Sequence, residues 1–598
     1  MPGGQSGHRY RGRFLQGEYS HQMVSSLSVN CNTIGMRIFY LHFTKTSGHF
    51  ITLRQWYSPV YFCETPSKDT PMTEPSLWWR EGIIYQIYPR SFSDSNGDGL
   101  GDLPGILSRL DYLADLGVDA IWLSPFYPTP DADFGYDVSD HTDVDPRFGS
   151  LADFDRLLDE AHARGLRVIL DLVLNHTSDR HPWFLESRSS RENPRADWYL
   201  WRDRPNNWQS VFGGRAWTYV PERDQYYYHM FLPQQPDVNW RNPEVRRAQL
   251  DVVRFWLARG VDGFRLDVFN VYFKDEAFRE NPFRPGLRAF DRQRHIYDAD
   301  RPEMIPLLRE LRAILDERPG RYAVGETFLS TPEKIIRYCG PDRLHAAFHF
   351  RFLRSPFAPR AFRKAIEEWE RLYAEHGIWP NYVLGNHDVP RMATRYAHGE
   401  DDARLKVLMA LLLTLRGTPF LYYGEEIGMR DIRLRRSEIL DPPGRKYWPF
   451  YKGRDGCRSP MQWDDSPHAG FTTGTPWLPV HPNYTHRNVS SQQENPASLL
   501  NFTRQLIALR KEYAALRRGE FEFLPTPTRQ VMLYRRREGD EEILIALNFV
   551  ARPLRLSLPA SVTARSWHTL LSTGTVFPSR PLTALDLDSY GVHILGTR

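Results

Sequence analysis

The chain has 598 residues, of which 25% are charged, and its formal net charge is only +4. Because positive and negative residues are interspersed, the composition excludes the basic stripe of a nucleic-acid-binding protein and the polybasic patch of a membrane-surface protein. Four scattered cysteines without a CxxC pair argue against a disulfide framework or a zinc site, and they favour a reducing, cytoplasmic location. No apolar run reaches about 18 residues, so we expect no membrane span.

Residues 1–73 differ in character from the rest of the chain. They show no sustained hydrophobic period, and the segment that begins Met72-Thr-Glu-Pro is typical of a natural start. We therefore expect this part to be an N-terminal extension that is disordered or that precedes the true start at Met72.

From about residue 80, short apolar runs alternate with amphipathic stretches such as Leu151–Arg164, which Ser150 can cap and Gly165 can end. Eight of the runs are rich in Val, Ile, Tyr and Phe, as buried parallel strands are. They are Ile83–Tyr88, Ala120–Pro125, Arg167–Leu174, Gly263–Val268, Ala323–Thr327, Ala346–Phe350, Tyr382–Asn386 and Pro419–Tyr423. Eight β-then-α units predict a (β/α)8 TIM barrel, and periodicity alone leaves a doubly wound sheet as the alternative.

Two long spacers interrupt this pattern. About 65 residues rich in Trp, Tyr, Asn, Pro and Gly follow Leu174, which predicts a small inserted domain after the third strand. A second insertion extends from Gly428 to about Trp477, and alternation in Val531–Tyr534 and Ile543–Asn548 predicts a C-terminal antiparallel β-sandwich. The predicted boundaries are 74–174 and 243–515 for the barrel, 175–242 for the inserted domain and 516–598 for the C-terminal domain.

Polar and charged side chains end four of the predicted strands. The segments are Asp171-Leu-Val-Leu-Asn175-His176, Gly263-Phe-Arg265-Leu-Asp267, Val324-Gly-Glu326-Thr327 and Gly385-Asn-His387-Asp388. A single acid after a strand is often the N-cap of the next helix. Four strands that end in this way instead favour one reactive rim, because barrel enzymes place their reactive groups at the carboxyl ends of the strands.

These four segments resemble the four signature regions of glycoside hydrolase family 13, the α-amylase superfamily. Gln235-Pro-Asp-Val238-Asn239 resembles an additional signature of its oligo-1,6-glucosidase subfamily, with Val238 where Leu is usual. The resemblance extends from about Trp78 to the C-terminus. It implies a retaining glycosidase, whose two catalytic carboxyl groups stand about 5–5.5 Å apart.

By similarity, Asp267 is the nucleophile that forms a covalent glucosyl-enzyme, Glu326 is the acid/base, and Asp388 binds the sugar's 2- and 3-hydroxyls. Arg265 would keep the nucleophile ionised. Further residues resemble those that bind the first glucose: His176 and His387 on its hydroxyls, Tyr136 on its ring, and Asp137 paired with Arg458 at the base of the pocket. This resemblance implies a blind pocket that takes one glucose from a chain end.

The run Asp94-Ser-Asn96-Gly-Asp98-Gly-Leu100-Gly-Asp102 places oxygen ligands at alternate positions, as calcium loops do. Gly105 stands where an EF-hand would have Glu, so this is no EF-hand. The same run in oligo-1,6-glucosidase relatives implies a structural Ca²⁺, or Mg²⁺, and no organic cofactor is expected.

We therefore expect an exo-acting retaining α-glucosidase that cleaves short oligosaccharides, with transglycosylation as a side reaction; the composition does not distinguish a monomer from a homo-oligomer. In similar enzymes Val at position 268 accompanies α-1,6 activity, whereas the segment Gln293–Asp298 resembles α-glucosidases of mixed α-1,4 and α-1,6 specificity. Trehalose synthase and sucrose isomerase share the four regions and are the alternatives. A non-catalytic relative, such as a transporter heavy chain, would carry a membrane anchor and lack the carboxylates.

Overall fold

The computed structural model describes residues 77–328 and 331–597, so the predicted extension 1–73 lies outside the described residues. Three strands come first: β1 (Ile84–Ile87), β2 (Ala120–Leu123) and β3 (Arg167–Leu172). An inserted segment adds β4 (Trp201–Arg202), β5 (Trp217–Val220) and β6 (Gln225–Tyr228). Five more follow: β7 (Gly263–Leu266), β8 (Tyr322–Glu326), β9 (Ala346–Phe348), β10 (Asn381–Val383) and β11 (Thr418–Tyr422).

The eight strands outside the insertion form one parallel sheet in the order β10-β11-β1-β2-β3-β7-β8-β9. Each lies within or beside one of the eight predicted runs, which confirms the barrel; the doubly wound alternative is wrong. The sheet's two end strands meet where the Asn381 side chain donates a hydrogen bond to the Ala347 carbonyl, at 2.9 Å. The sheet thus returns on itself as a barrel.

A helix follows each barrel strand before the next one begins. The described helices of seven or more residues are Leu110–Leu116, Leu151–Ala163, Pro182–Ser189, Pro243–Arg259, Met304–Asp316, Pro332–Tyr338, Pro359–His376, Ala403–Thr414 and Leu499–Glu512. The predicted cap of the second is present, since Ser150 and Asp153 form a reciprocal capping box. Within the described residues, no helix is both long and apolar enough to cross a membrane.

The barrel interior changes from apolar to polar along each strand. Alternate side chains point inward because strand side chains have a period of two. The amino-terminal part of the interior is filled by buried apolar side chains from Ile84, Trp122, Ile169, Val324, Phe348 and Phe420. Two residues further along the same strands stand Gln86, Asp171 and Glu326, so the polar side chains gather at the carboxyl ends.

The inserted segment is a small aromatic-rich unit over the end of β3. Its strands form an antiparallel sheet in the order β4-β6-β5, and its buried core includes Trp208, Trp217 and Tyr228. The C-terminal region adds β12 (Glu520–Phe523), β13 (Val531–Glu538), β14 (Glu541–Asn548), β15 (Leu554–Ser557), β16 (Ser566–Ser572), β17 (Arg580–Pro581), β18 (Ala584–Leu587) and β19 (Val592–Gly596). A six-stranded and a two-stranded antiparallel sheet result, as the alternating pattern predicts.

A buried ammonium group joins the inserted unit to the barrel. Lys274, from the segment after β7, donates to the side chains of Asn175 (2.9 Å) and Asp237 (2.5 Å) and to the Val271 carbonyl. The Lys274 and Asp237 side chains are both fully buried. Because Asp237 belongs to the inserted segment and Asn175 follows β3, one charge holds three parts of the chain together.

We predict that Lys274→Met lowers the unfolding temperature strongly, because removing one partner of a buried ion pair costs about 3–5 kcal/mol. Asp237→Asn combined with Lys274→Met is expected to recover part of the loss, since the uncompensated charge is then gone. Lys511→Met is the control: its partner Asp119 lies 3.1 Å away in an exposed pair, so its effect is expected to stay within about 1 kcal/mol. Equal unfolding temperatures for Lys274→Met and Lys511→Met would contradict this account.

Candidate active site

One guanidinium group, that of Arg265 on β7, holds three carboxyl groups. Its Nη1 donates to Asp171 at 2.6 Å and to Asp267 at 2.7 Å, and its Nη2 donates to Glu326. The strand register produces this convergence, because Asp171 is paired with Arg265 and Leu266 with Gly325, the residue before Glu326. The two catalytic candidates are therefore held by adjacent nitrogens of a single planar group.

Burial dominates the protonation of this cluster. It raises the pKa of Asp171 to about 6 and raises the pKa values of Asp267 and Glu326, while the charge of Arg265 opposes each shift. Asp388 raises the pKa of Glu326 further, since a second negative charge disfavours ionisation. Three buried acids that share one cation favour retention of a proton within the cluster.

Asp388 has the opposite electrostatic environment. Its Oδ1 accepts hydrogen bonds from Arg458 Nη2 at 3.1 Å and from Arg454 Nη1 at 3.4 Å. Burial alone would raise the pKa of Asp388, but His387 and the two arginines lower it well below its usual range. Asp388 therefore stays ionised while the pKa values of the acids on Arg265 are raised, a separation that suits neighbouring carboxyl groups to different roles.

Tyr136 and His387 form a stacked pair on the floor of the site. Their ring centroids are 5.4 Å apart and their planes differ by 4°. The Tyr136 hydroxyl donates to Asp171 at 3.1 Å and accepts from His387 Nε2 at 2.7 Å, while Gln86 donates to His387 Nδ1 at 2.8 Å. Burial lowers the pKa of His387 to about 3. The ring is therefore neutral, with its proton on Nε2.

His176 lies beside this pair on the wall formed by the inserted unit. Its Nε2 is 3.0 Å from the Tyr136 carbonyl, and its ring is 5.3 Å from the ring of Phe231. Burial lowers the pKa of His176 to about 4, so this ring is also neutral. Gln235, from the fifth signature segment, stands 3.2 Å from both His176 Nε2 and Asp133 Oδ2.

The predicted pairing of Asp137 with Arg458 is wrong. The Asp137 carboxylate is fully buried behind the main chain, where it accepts the N–H groups of Ala132 (2.8 Å) and Asp133 (2.9 Å). Arg458 is equally buried, and its Nε donates to the His387 carbonyl at 2.8 Å. Both side chains support main-chain turns that carry site residues, and neither lines the cavity.

The ion pair at the floor is instead formed by Asp133 and Arg454. Arg454 Nη2 lies 2.5 Å from Asp133 Oδ1 and also contacts Asp441 at 2.6 Å. Each member stands four residues before the predicted one, and both line the cavity. Residue spacing cannot distinguish the two choices, because each segment repeats its acid or its arginine after four residues.

Above this floor the site opens into a cavity of about 1300 Å³. The residues nearest the reacting groups are Asp133, Tyr136, His176, Gln235, Asp267, Val268, Glu326, His387, Asp388 and Arg454. Val268 adopts a left-handed backbone conformation with φ of +33°. That conformation is rare for a β-branched residue and is typical of strained positions at functional sites.

Asp171 and Gln235 are site residues that sequence reasoning left out of the predicted set. Asp171 stands in a signature segment and is the third carboxylate on Arg265. The sequence does not show which residue a buried acid near the end of β3 pairs with. Gln235 stands in the fifth signature segment, so its position was visible in the sequence. Its contact with Asp133 depends on how the inserted unit packs.

The predicted metal loop follows β1 and contains oxygen donors only: Asp94, Asn96, Asp98, Leu100 and Asp102. Its carboxylates accept main-chain N–H groups, as in the contacts of Asp94 with Gly99 (2.8 Å) and of Asp102 with Gly105 (2.6 Å). Among the described residues, no group of three or more His, Cys, Asp or Glu side chains is placed to hold a metal ion. The donor chemistry suits Ca²⁺ or Mg²⁺, and the loop is already closed by its own hydrogen bonds.

This loop is also fixed to the second insertion. The Asp94 N–H donates to the Phe471 carbonyl at 3.0 Å, and the Thr472 hydroxyl donates to the Asp94 carboxylate at 2.5 Å. The Trp477 N–H donates to the Gly99 carbonyl at 2.9 Å. Because Arg454 and Arg458 belong to the same insertion, the loop supports the segment that completes the floor.

Two family models match the chain: "Alpha amylase, catalytic domain" over residues 86–519 and "Maltogenic Amylase, C-terminal domain" over residues 521–594. A probable α-glucosidase of Rhizobium meliloti is 47% identical, over 81% of this chain and 91% of that protein. An oligo-1,6-glucosidase of Parageobacillus thermoglucosidasius is 38% identical, over 87% of this chain and 99% of its own length.

Two solved structures are similar over nearly their whole lengths. The α-glucosyl transfer enzyme XgtA superimposes with a TM-score of 0.81 at 45% identity, covering 87% of this chain and 99% of XgtA. The trehalulose synthase MutB from Pseudomonas mesoacidophila MX-45 gives a TM-score of 0.79 at 35% identity, with coverage of 87% and 99%. These matches and the four strand-end segments agree: the chain belongs to the α-amylase family, glycoside hydrolase family 13, and is a glycoside hydrolase.

Proposed function

We propose that the protein is an exo-acting retaining α-glucosidase that removes terminal glucose from short α-linked oligosaccharides. The observation that carries the proposal is the closed floor under the reacting carboxyl groups. There the Asp133–Arg454 ion pair and the Tyr136–His387 stack lie at the inner end of the cavity, which favours a terminal glucose on that side of the cleaved bond over a continuing chain.

The proposed reaction has two steps at one carbon. Asp267 attacks the anomeric carbon while Glu326 donates its proton to the departing glycosidic oxygen, which gives a covalent glucosyl-enzyme and a free sugar. Glu326, now a carboxylate, then takes a proton from water as the water attacks the same carbon and Asp267 leaves. Two displacements retain the α configuration. Arg265 contacts both carboxyl groups and stabilises whichever is ionised at each stage.

The groups around the first glucose are suited to its hydroxyls. Asp388 is held ionised by Arg454 and Arg458, so it can accept two hydroxyl hydrogen bonds that strengthen as the ring flattens towards the transition state. His176 and His387 are neutral, so they border the first glucose site without adding positive charge next to the developing oxocarbenium ion. Asp133 and Arg454 would bind the far edge of the ring.

We propose activity on both α-1,4 and α-1,6 bonds, with transfer to sugar hydroxyls at high substrate concentration. Val268 stands at the cavity wall beside Asp267, and relatives named oligo-1,6-glucosidase and α-glucosidase support hydrolysis. One side chain at this position changes selectivity by only about 1–3 kcal/mol. Similarity to a trehalulose synthase makes sucrose isomerisation the second candidate.

A panel of disaccharides tests this proposal. We expect glucose release from maltose and isomaltose, with the α anomer seen first by NMR, and little conversion of sucrose or trehalose into isomers. Asp133→Ala is expected to raise KM for maltose at least tenfold, because the far edge of the glucose loses its partner. Isomaltulose or trehalulose as the main product from sucrose would support isomerisation instead, and β-glucose as the first product would contradict a retaining mechanism.

The role of Glu326 is tested by leaving-group chemistry. We expect Glu326→Gln to lose maltose hydrolysis by more than about 10³-fold but to keep much of its first-step rate on p-nitrophenyl α-glucoside, whose phenolate leaves without a proton. Asp267→Asn is the matched variant and is expected to lose both substrates.

The pH profile gives an independent check on Glu326. Its pKa is raised by burial, and catalysis needs the protonated form, so kcat/KM of the wild type on maltose should fall as pH rises through that pKa. Glu326→Gln on the aryl substrate should lack this alkaline limb. If Glu326→Gln lost the same fraction of its activity on maltose and on p-nitrophenyl α-glucoside, Glu326 would not be the acid.

We further propose that the loop of Asp94, Asn96, Asp98, Leu100 and Asp102 binds a structural Ca²⁺, with Mg²⁺ as a weaker substitute. Chelation is expected to lower the unfolding temperature, and added Ca²⁺ to restore it, because a ligand that binds only the folded state stabilises it. Asp98→Ala is expected to have the same low unfolding temperature as the chelated wild type. Neither chelator nor added Ca²⁺ should change it. A wild-type unfolding temperature that chelator and Ca²⁺ both leave unchanged would contradict a metal at this loop.

A further inference from the structure

Main-chain pairing between the strands of the two reacting carboxyl groups ends just before Glu326. The last pair of β7 and β8 in register is Leu266 with Gly325. Beyond that pair the chain turns away from β8: Val268 has φ of +33°, and a short 3₁₀ turn, Phe269–Val271, follows it. The segment after Glu326 therefore needs another partner on the side of the nucleophile.

The Asn270 side chain supplies this partner. Its amide oxygen accepts the Phe328 N–H at 2.7 Å, and its amide nitrogen donates to the Phe328 carbonyl, also at 2.7 Å. A side-chain amide carries the same two groups as a peptide bond, so Asn270 continues the pairing of the two segments where the main chain has turned away. Asn270 is fully buried, and a buried polar group left without its partner is costly.

The residue before Asn270 contacts the same strand just before Glu326. The Phe269 ring lies directly against Gly325, where a Cβ atom would overlap Cε1 of the ring. The ring also packs edge-on against Tyr338, with the ring centroids 5.1 Å apart. Two consecutive residues of the turn after the nucleophile therefore contact the main chain on both sides of the acid/base candidate.

Asn270 is itself fixed by a carboxylate outside the cavity. Its amide nitrogen also donates to Asp300 Oδ1 at 2.9 Å, and the Asp300 N–H donates to the Asn270 carbonyl at 2.7 Å. Asp300 in turn accepts from the Tyr338 hydroxyl at 3.0 Å and contacts the Lys334 ammonium group. Among the described residues that line the cavity, neither Asn270 nor Asp300 is present. Both can affect the reaction only through the residues that they hold.

We propose that Asn270 is a positioning residue of the reaction, which fixes Glu326 relative to Asp267 by holding Phe328. The inference rests on the proposed function, because it uses the same acid/base step. Asn270 lies three residues after Asp267, and Phe328 lies two residues after Glu326, so the two amide hydrogen bonds join the reacting segments directly. A shift of about 1 Å in a catalytic group can cost about 10²-fold in rate.

The nucleophile has supports that do not depend on Asn270. The Asp267 N–H donates to the Leu172 carbonyl of β3 at 2.9 Å, and the Asp267 carboxylate accepts from Arg265 at 2.7 Å. Loss of the Asn270 amide is therefore expected to move Glu326 more than Asp267. Proton donation to the departing oxygen should weaken before attack on the sugar does.

The test compares two substrates that differ in their need for that proton. kcat/KM on maltose requires protonation of the departing oxygen, whereas kcat/KM on p-nitrophenyl α-glucoside largely does not. We expect Asn270→Ala to lower the ratio of the maltose value to the aryl value at least about tenfold. The ratio does not depend on how much of a variant is folded, because the folded fraction multiplies both values.

The pH profile is a second readout. Asn270→Ala changes no charge among Arg265, Asp267 and Asp388, which face Glu326, and burial is the largest cause of the raised pKa of Glu326. A Glu326 side chain that moves more freely is better hydrated, so its pKa falls. The alkaline limb of kcat/KM on maltose should therefore lie at lower pH than in the wild type.

Asn548→Ala is the matched control. Asn548 is a fully buried asparagine of the C-terminal domain whose amide nitrogen donates to the Arg552 and Asp588 carbonyls, at 2.8 Å and 2.7 Å. Its amide oxygen accepts the Val550 N–H at 3.1 Å. The control removes the same kind of main-chain support as Asn270→Ala, so it should lower the unfolding temperature but leave the substrate ratio and the alkaline limb unchanged.

Asp300→Gly tests the same link if Asn270→Ala does not fold. Asp300 has φ of +55°, a conformation that glycine adopts freely, so this change removes the carboxylate without straining the backbone. It should lower the substrate ratio about threefold. A folded Asn270→Ala with an unchanged ratio would overturn the proposal, and so would an unchanged ratio in Asp300→Gly if it alone folds. A wild type that releases no glucose from either substrate would instead contradict the proposed function.

Discussion

The site depends on one guanidinium shared by three carboxyl groups. Arg265 cannot neutralise Asp171, Asp267 and Glu326 together, and their burial makes every unpaired negative charge costly. A proton therefore stays in the cluster at a pH where exposed carboxyl groups have lost theirs. In the proposed mechanism this single imbalance supplies both an acid and a nucleophile, without any histidine in either role.

The rest of the architecture keeps that imbalance in place. β3, β7 and β8 are adjacent and in register, so their inward side chains reach the same height in the barrel. Asp388 comes from β10, further round the barrel, and has its own cations in Arg454 and Arg458. The site thus has two electrostatic zones, one short of positive charge and one well supplied with it, and the neutral rings of Tyr136 and His387 lie between them.

The barrel, and the position of the acids at its rim, could be predicted from sequence because both follow from strand geometry. A buried strand must be apolar, and its last inward residue must face the open rim, so position marks Asp267 and Glu326 as rim residues and the family resemblance supplies the roles proposed for them. The floor pair could not be predicted in this way. Asp133 and Asp137 belong to one turn, and only its path through space decides which carboxylate faces the cavity and which faces the main chain.

Lys274 escaped prediction for a related reason. A lysine in an irregular segment is normally solvated, and nothing near it in the sequence shows that Asp237 and Asn175 will surround it. The role of a loop residue depends on which residues pack against it, and those neighbours are known only from the fold.

The contacts between the start and the end of the barrel have a consequence for biosynthesis. Ser91 donates to the carbonyl of Arg458 and accepts from the N–H of Met461, and Asp94 is bonded to Phe471 and Thr472. The floor of the site therefore joins residues that leave the ribosome more than three hundred positions apart. A nascent chain that ends before Arg454 has its catalytic carboxyl groups but no closed floor beneath them. Under the proposed function, the ability to select a chain end is acquired last, when the second insertion docks on the loop after the first strand.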